Sequence, residues 1–211
     1  MRITFRRFPG HTTAYSIIER DDGVVYRMQE FTAPGAKLPH DLRHLVVERE
    51  LRIADGVWGA IAAGVVYTSM EHVRGRRPPH AAERSGELKR VQRQPVMVAG
   101  LLADLVEAVA MLDAPSEDDI RRLTRATLSV LPVTEPGADP AEAAAVPPPA
   151  AVAGAARALQ VEAARWARLR VGEELVYSWP AATTRALRAV PQPREAGDRR
   201  NPRRAGKRDP R

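Results

Sequence analysis

Hydrophobic and polar residues alternate along the first thirty positions of the chain. In RITF, Ile3 and Phe5 fall on one face at a period of two, and TAYSIIER and VVYRM continue the alternation. Asp22-Gly23 separates the second segment from the third and tolerates the positive φ values of a tight turn. The pattern predicts a three-stranded antiparallel meander at the start of the chain.

A spacing of three to four residues replaces this alternation after residue 38. Leu42, Leu45 and Val46 recur at helical spacing, and Asp55-Gly56 provides a stop signal. The segment VWGAIAAG follows, and its small residues allow another backbone to come close. We expect one helix that carries the chain's only pair of neighbouring histidines, and a shorter helix after it.

Two longer helical segments are predicted next, joined as a hairpin within residues 96–131. Ser116, with Asp119 three residues later, predicts the N-cap between them. Residues 132–150 contain six prolines, which predict an extended linker. A further amphipathic helix is expected over residues 151–170.

The last apolar pattern, VGEELVYSWP, predicts a strand that returns to the sheet. The predicted fold class is therefore α+β: an N-terminal antiparallel β-meander packed against several helices, with a late C-terminal strand and a disordered basic tail. The expected organisation is a core over 1–131, a linker over 132–150, a returning helix and strand over 151–180, and a tail over 191–211. The sheet residues expected to face the helices are Ile3, Phe5, Tyr15, Ile17, Leu175 and Tyr177.

The amino-acid composition of the chain excludes several kinds of functional site. The chain has no cysteine, which excludes disulfides, Cys-ligated metal sites and thiol nucleophiles. MRITFRRFPG lacks an apolar leader, and the most apolar stretch is interrupted by Asp104 and Glu107. We expect a cytoplasmic protein without a membrane partner.

The net charge of +7 is concentrated in two segments. Residues 191–211 carry eight basic against three acidic residues, and residues 74–94 carry seven against two. Such segments are either solvated or associate with nucleic acid. Neither contains an aromatic residue, so neither offers a stacking platform for single-stranded nucleic acid.

The candidate metal-binding and catalytic residues cluster in the segment LPHDLRHLVVERE, residues 38–50. His40 and His44 lie four residues apart, as do the two histidines of zinc helices of the form H-E-x-x-H. In the metal interpretation, His40, His44 and Glu48 bind zinc, a water occupies the fourth position, and Asp41 is the catalytic base. Two features argue against it: Pro39 directly precedes His40, and an aspartate is one carbon shorter than a glutamate.

The alternative interpretation of the same helix is structural. Asp41 in the first turn would stabilise the helix dipole, and Glu48 would pair with His44 or Arg52. On a helix the two histidines lie opposite Leu42 and Leu45, on a face typical of a cleft or of contact with another element. Both interpretations remain open from the sequence.

Four segments resemble a family of small bacterial proteins to which no function is assigned. They are LPHDLRHLVVE, GVWGAIAAG, the hairpin ending at Asp22-Gly23, and ARWARLRVGEELVYSWP. The resemblance covers residues 1–73 and 159–180. It implies that the hairpin, the histidine helix and the late strand form one fold, and it implies no reaction, cofactor or partner.

Three functions are compatible with these observations. The favoured one is a non-catalytic interaction or regulatory domain that binds a protein partner. The second is a metal-dependent hydrolase, with zinc as cofactor. The third is nucleic-acid association through residues 74–94 and 191–211.

Overall fold

The structure is a computed structural model and describes residues 1–9, 13–31, 37–131 and 146–180. Five strands form one sheet in which every neighbouring pair is antiparallel, in the order β4-β3-β2-β1-β5. The strands are β1 (Arg2–Arg6), β2 (Thr13–Glu19), β3 (Val25–Phe31), β4 (Met70–Arg74) and β5 (Glu174–Ser178). The predicted meander is confirmed, and the predicted late strand pairs with β1 at one edge of the sheet.

The helices of the described ranges pack on one side of this sheet and complete an α+β fold, as predicted. They are α1 (His40–Glu50), α2 (Val57–Ala63), α3 (Ala81–Val91), α4 (Arg93–Ala110), α5 (Glu117–Leu128) and α6 (Pro149–Arg168). α1 contacts α2, α4 and α6, so it lies in the middle of the helical layer. Across the described ranges, no helix is both long and apolar enough to cross a lipid bilayer.

The predicted hairpin is formed by α4 and α5. Ser116 Oγ accepts the main-chain N–H of Asp119 at 3.1 Å, and the Asp119 carboxylate accepts the N–H of Ser116 at 3.2 Å. This is the reciprocal cap that the two residues predict. Pro149, counted within the predicted linker, is the first residue of α6, because its fixed φ suits the first helical turn. Residues 132–145 and the predicted tail lie outside the described residues.

The helix-facing side of the sheet is set by the strand register. Ile3 lies opposite Tyr177, and Phe5 lies opposite Leu175, across the β1–β5 pair. All four are buried, which confirms their predicted orientation. The Phe5 ring meets the rings of Trp58 and Tyr177 edge-to-face, at centroid distances of 5.9 and 6.0 Å, and so connects the sheet to α2.

The predicted orientation of β2 is wrong by one residue. Ile18 and Ser16 lie opposite Ile3 and Phe5 and are fully buried, whereas Ile17 lies on the other face of the sheet. Tyr15 shares that outer face, because side chains alternate along a strand. The two adjacent isoleucines leave the alternation ambiguous, and a one-residue shift exchanges the two faces. Because the core-facing residue Ser16 is polar, the hydrophobic pattern does not show which side chains of β2 face the helices.

Candidate functional site

The histidine pair forms at the first turn of α1. Pro39 occupies the N-cap position, so the helix begins at His40 itself and both histidines have helical geometry. Their rings lie 4.5 Å apart between centroids, and the two Nε2 atoms are 3.3 Å apart. The side chain of His40 is 53% exposed and that of His44 only 7%. One ring therefore faces solvent and the other faces the core.

Glu48, one turn after His44, is fully buried and bound to the start of α2. Its Oε1 accepts the main-chain N–H of Val57 at 2.8 Å, and its Oε2 accepts that of Trp58 at 3.0 Å. These bonds satisfy amides that a helix start leaves without partners. Gly56 makes room for them, because a Cβ there would lie 2.6 Å from both carboxylate oxygens. Glu48 is thus a long-range cap that fixes α2 against α1.

Asp41 lies on the outer side of the first histidine. Its Oδ1 is 3.5 Å from Nδ1 of His40, and its main-chain oxygen accepts the indole N–H of Trp58 at 3.0 Å. Arg43, two residues further, forms ion pairs with Asp104 and Glu107 of α4. The first turn of α1 is therefore held against both α2 and α4.

Burial shifts the ionisation of the inner groups in opposite directions. It lowers the pKa of His44 to about 3, helped by the charges of His40 and Arg43. It raises the pKa of Glu48 to about 8, although the main-chain bonds from Trp58 and Val57 act to lower it. His44 is therefore neutral at ordinary pH, and its Nδ1, 3.9 Å from Glu48 Oε1, does not form an ion pair despite the short distance.

The structure brings His40 and His44 together but places Glu48 behind them. Glu48 approaches the Nδ1 side of His44, away from the two facing Nε2 atoms, and both its oxygens bind α2. In the described parts of the chain, no group of three or more His, Cys, Asp or Glu side chains is arranged to hold a metal ion. Zinc held by His40, His44 and Glu48, with Asp41 as base, stays a prediction.

The basic segment over residues 74–94 is largely structured. It contains the end of β4, all of α3 and the start of α4. Arg74 pairs with Glu19, and Arg90 pairs with Glu87, so part of its positive charge is used within the protein. The other basic segment, 191–211, lies outside the described residues, and nucleic-acid association stays a prediction.

A groove with both apolar and polar lining lies beside the turn between α4 and α5. Its volume is about 390 Å³. Leu112, which is 41% exposed, lines it, and Met111, which is 72% exposed, directly precedes Leu112 in the chain. The residues that line it are Val109, Leu112, Asp113, Ala114, Pro115, Ala153, Ala156, Arg157 and Gln160. Sequence reasoning missed this groove, because it depends on where α6 packs. The signal that the sequence offers is the apolar pair Met111-Leu112 directly before a predicted turn.

Comparisons with known proteins return no match: no family model, no curated protein and no solved structure is similar to the chain. The function therefore has to be argued from the histidine helix and the groove.

Proposed function

We propose that this protein is a non-catalytic interaction domain whose working surface is the groove between the α4–α5 turn and α6. The observation that carries the proposal is the exposed pair Met111 and Leu112 beside this groove. Single exposed apolar side chains are common, but here two adjacent ones lie beside a groove, and apolar patches bordered by polar groups are found at protein–protein contacts.

The chemistry of the groove favours a protein partner. Most of its lining is aliphatic, and Asp113, Arg157 and Gln160 provide polar groups around it. Protein–protein interfaces likewise combine apolar contacts with polar groups. The groove walls are also fixed, since Gln160 donates a hydrogen bond to the main-chain oxygen of Ala110 at 2.8 Å and so connects α6 to the end of α4. We expect an aliphatic or aromatic side chain of the partner to occupy the groove.

The arrangement of α1 gives the hydrolase alternative no support. A hydrolytic site of the predicted kind needs a carboxylate facing the ion and its water. Glu48 is occupied by main-chain amides of α2, and Asp41 lies on the Nδ1 side of His40. The acids of α1 serve the packing of the helical layer.

The proposal is tested by comparing Met111→Asp with Val130→Asp as a matched control. Val130 is 70% exposed and follows the far end of α5, so both variants place the same charge at an equally exposed position. Proteins captured on the wild type and on each variant are quantified by mass spectrometry, and the affinity of any recovered partner is then measured by calorimetry. Self-association is measured in parallel by analytical ultracentrifugation.

We expect a partner that binds the wild type and Val130→Asp equally and binds Met111→Asp at least about tenfold more weakly, the loss expected for a central interface residue. If a second copy of the chain is the partner, the same substitution should abolish the dimer. A partner that binds all three proteins equally, or no association at all, would contradict the proposal.

A further inference from the structure

We infer that His40 and His44 form a binding site for a divalent transition-metal ion with tetrahedral preference, zinc in the first place, held between their two Nε2 atoms. This site goes beyond the proposed function, because it lies on α1 and shares no residue with the groove. It also differs from the predicted zinc site, since Glu48 does not bind the ion.

The separation of the two nitrogens fits the geometry of such an ion. Nε2 of His40 and Nε2 of His44 are 3.3 Å apart. Two imidazoles bound to tetrahedral zinc at the usual bond length place their nitrogens about 3.3 Å apart. The helical i, i+4 spacing brings the rings side by side, and their 4.5 Å centroid distance keeps the two nitrogens in register.

The two acids of α1 lie on the Nδ1 sides of the histidine rings and leave the space between the Nε2 atoms to the ion. Asp41 Oδ1 lies 3.5 Å from Nδ1 of His40, and Glu48 Oε1 lies 3.9 Å from Nδ1 of His44. Asp41 is within hydrogen-bond distance and favours a proton on Nδ1 of His40, which leaves the lone pair on its Nε2. Glu48 lies beyond hydrogen-bond distance of His44 and does not fix its tautomer. Without an ion, the contact between the two Nε2 atoms is a hydrogen bond in which one nitrogen carries the proton, and a bound cation takes the place of that proton.

The position of the site allows an ion to reach it. His40 is half-exposed, while His44 is fixed from behind by α4, where its Cε1 lies 4.0 Å from the Cβ position of Gly100. The buried ring provides a preorganised ligand, and the exposed ring completes the pair from the solvent side. The remaining coordination positions are left for water.

The test uses the full chain without a histidine tag, treated with EDTA and dialysed. Zinc is titrated by calorimetry into the wild type, His40→Asn and His80→Asn. His80 is a suitable control, because its side chain is 73% exposed, its Nδ1 contacts Glu83 Oε2 at 2.9 Å, and its φ of 55° is tolerated by asparagine. Cobalt(II) provides a second readout, since its visible spectrum reports tetrahedral coordination.

We expect one zinc per chain for the wild type and for His80→Asn, with binding at least about tenfold weaker in His40→Asn. Zinc should raise the melting temperature of the first two proteins and not of the third. The tetrahedral cobalt spectrum should likewise be lost only in His40→Asn. Absence of stoichiometric zinc binding by the wild type, or equal binding by His40→Asn, would overturn the inference. Both histidine variants should keep any partner of the groove, so the two proposals fail independently.

Discussion

At the scale of single residues, the packing of α1 depends on one buried carboxylate and the glycine that faces it. Glu48 binds amides nine and ten positions further along the chain, and Gly56 leaves the space that this requires. The φ of Gly56 is −74°, which any residue can adopt. Glycine is therefore required at this position for space and not for its conformational freedom.

Gly56→Ala should consequently destabilise the protein by about 1–3 kcal/mol, the usual cost of forcing an extra carbon into a packed site. The added Cβ would overlap the Glu48 carboxyl group and displace it from α2. The free energy of unfolding is measured by urea denaturation, with Gly86→Ala as control.

Gly86 lies inside α3 with open space around its Cβ position. The same substitution there should stabilise the protein by about 0.5–1 kcal/mol, because alanine is the better helix former. If Gly56→Ala gains stability as Gly86→Ala does, the space at Gly56 is not required.

Tyr67 gives a prediction about alkaline pH. Burial raises its pKa to about 12, and the charge of Glu48 acts in the same direction. Since an unfolded tyrosine titrates near pH 10, its contribution to stability is complete below pH 10 and is lost as the pH rises towards 12. The stability of the wild type relative to Tyr67→Phe should therefore fall over this interval.

This difference is measured by urea unfolding of both proteins at pH 9, 10 and 11. The other tyrosines titrate in both proteins and cancel in the comparison. Parallel pH curves for the two proteins would show that Tyr67 ionises as an ordinary tyrosine.

Whether a contact between two residues can be predicted from the sequence depends on how far apart they lie along the chain. The facing of His40 and His44 follows from a spacing of four on one helix, whereas the sequence left open whether the helix includes His40. The cap that Glu48 provides for α2 was missed, because it depends on the angle between two helices. The buried position of Ser16 was missed as well, since a polar residue gives no hydrophobic signal.

At the scale of helices and strands, the ends of the helices differ in how they are stabilised. α5 begins with the reciprocal bonds of Ser116 and Asp119, which are local and readable from the sequence. α1 begins at His40, and its N-cap residue Pro39 provides no side-chain bond, so the start of α1 depends on contacts with α2 and α4. The bonds of the first kind of helix start are predicted by local spacing, whereas the contacts that hold the second depend on the tertiary structure.

Ser116→Ala should therefore cost about 0.5–2 kcal/mol of stability, because the N–H of Asp119 loses its acceptor. The matched control is Ser129→Ala at the other end of α5, where the hydroxyl group donates to the main-chain oxygen of Ala126. That exposed substitution should change stability by no more than about 0.5 kcal/mol. Urea unfolding of both variants makes the comparison, and equal effects would show that the cap contributes nothing specific.

At the scale of the whole molecule, the two ends of the described chain meet in the sheet. β5 pairs with β1, and the main-chain N–H of Trp179 donates to the oxygen of Met1 at 2.8 Å. One face of the sheet is covered by helices, and the other carries exposed ion pairs such as Arg2–Glu19 and Arg27–Glu71. Because exposed pairs contribute little, the stability of the sheet comes from its covered face.

Because helices cover only one face of the sheet, truncating two neighbouring residues of β5 should have very different effects on stability. Leu175→Ala should destabilise the protein by about 2–5 kcal/mol, since Leu175 is buried against Phe5, while Val176→Ala, on the exposed face, should cost no more than about 0.5 kcal/mol. Because β5 shares one core with the meander and the helices, the loss should appear as a single shifted transition in both tryptophan fluorescence and far-UV circular dichroism. Separate transitions, or equal costs for the two substitutions, would mean that β5 is an appendage and that the N-terminal sheet and helices fold without it.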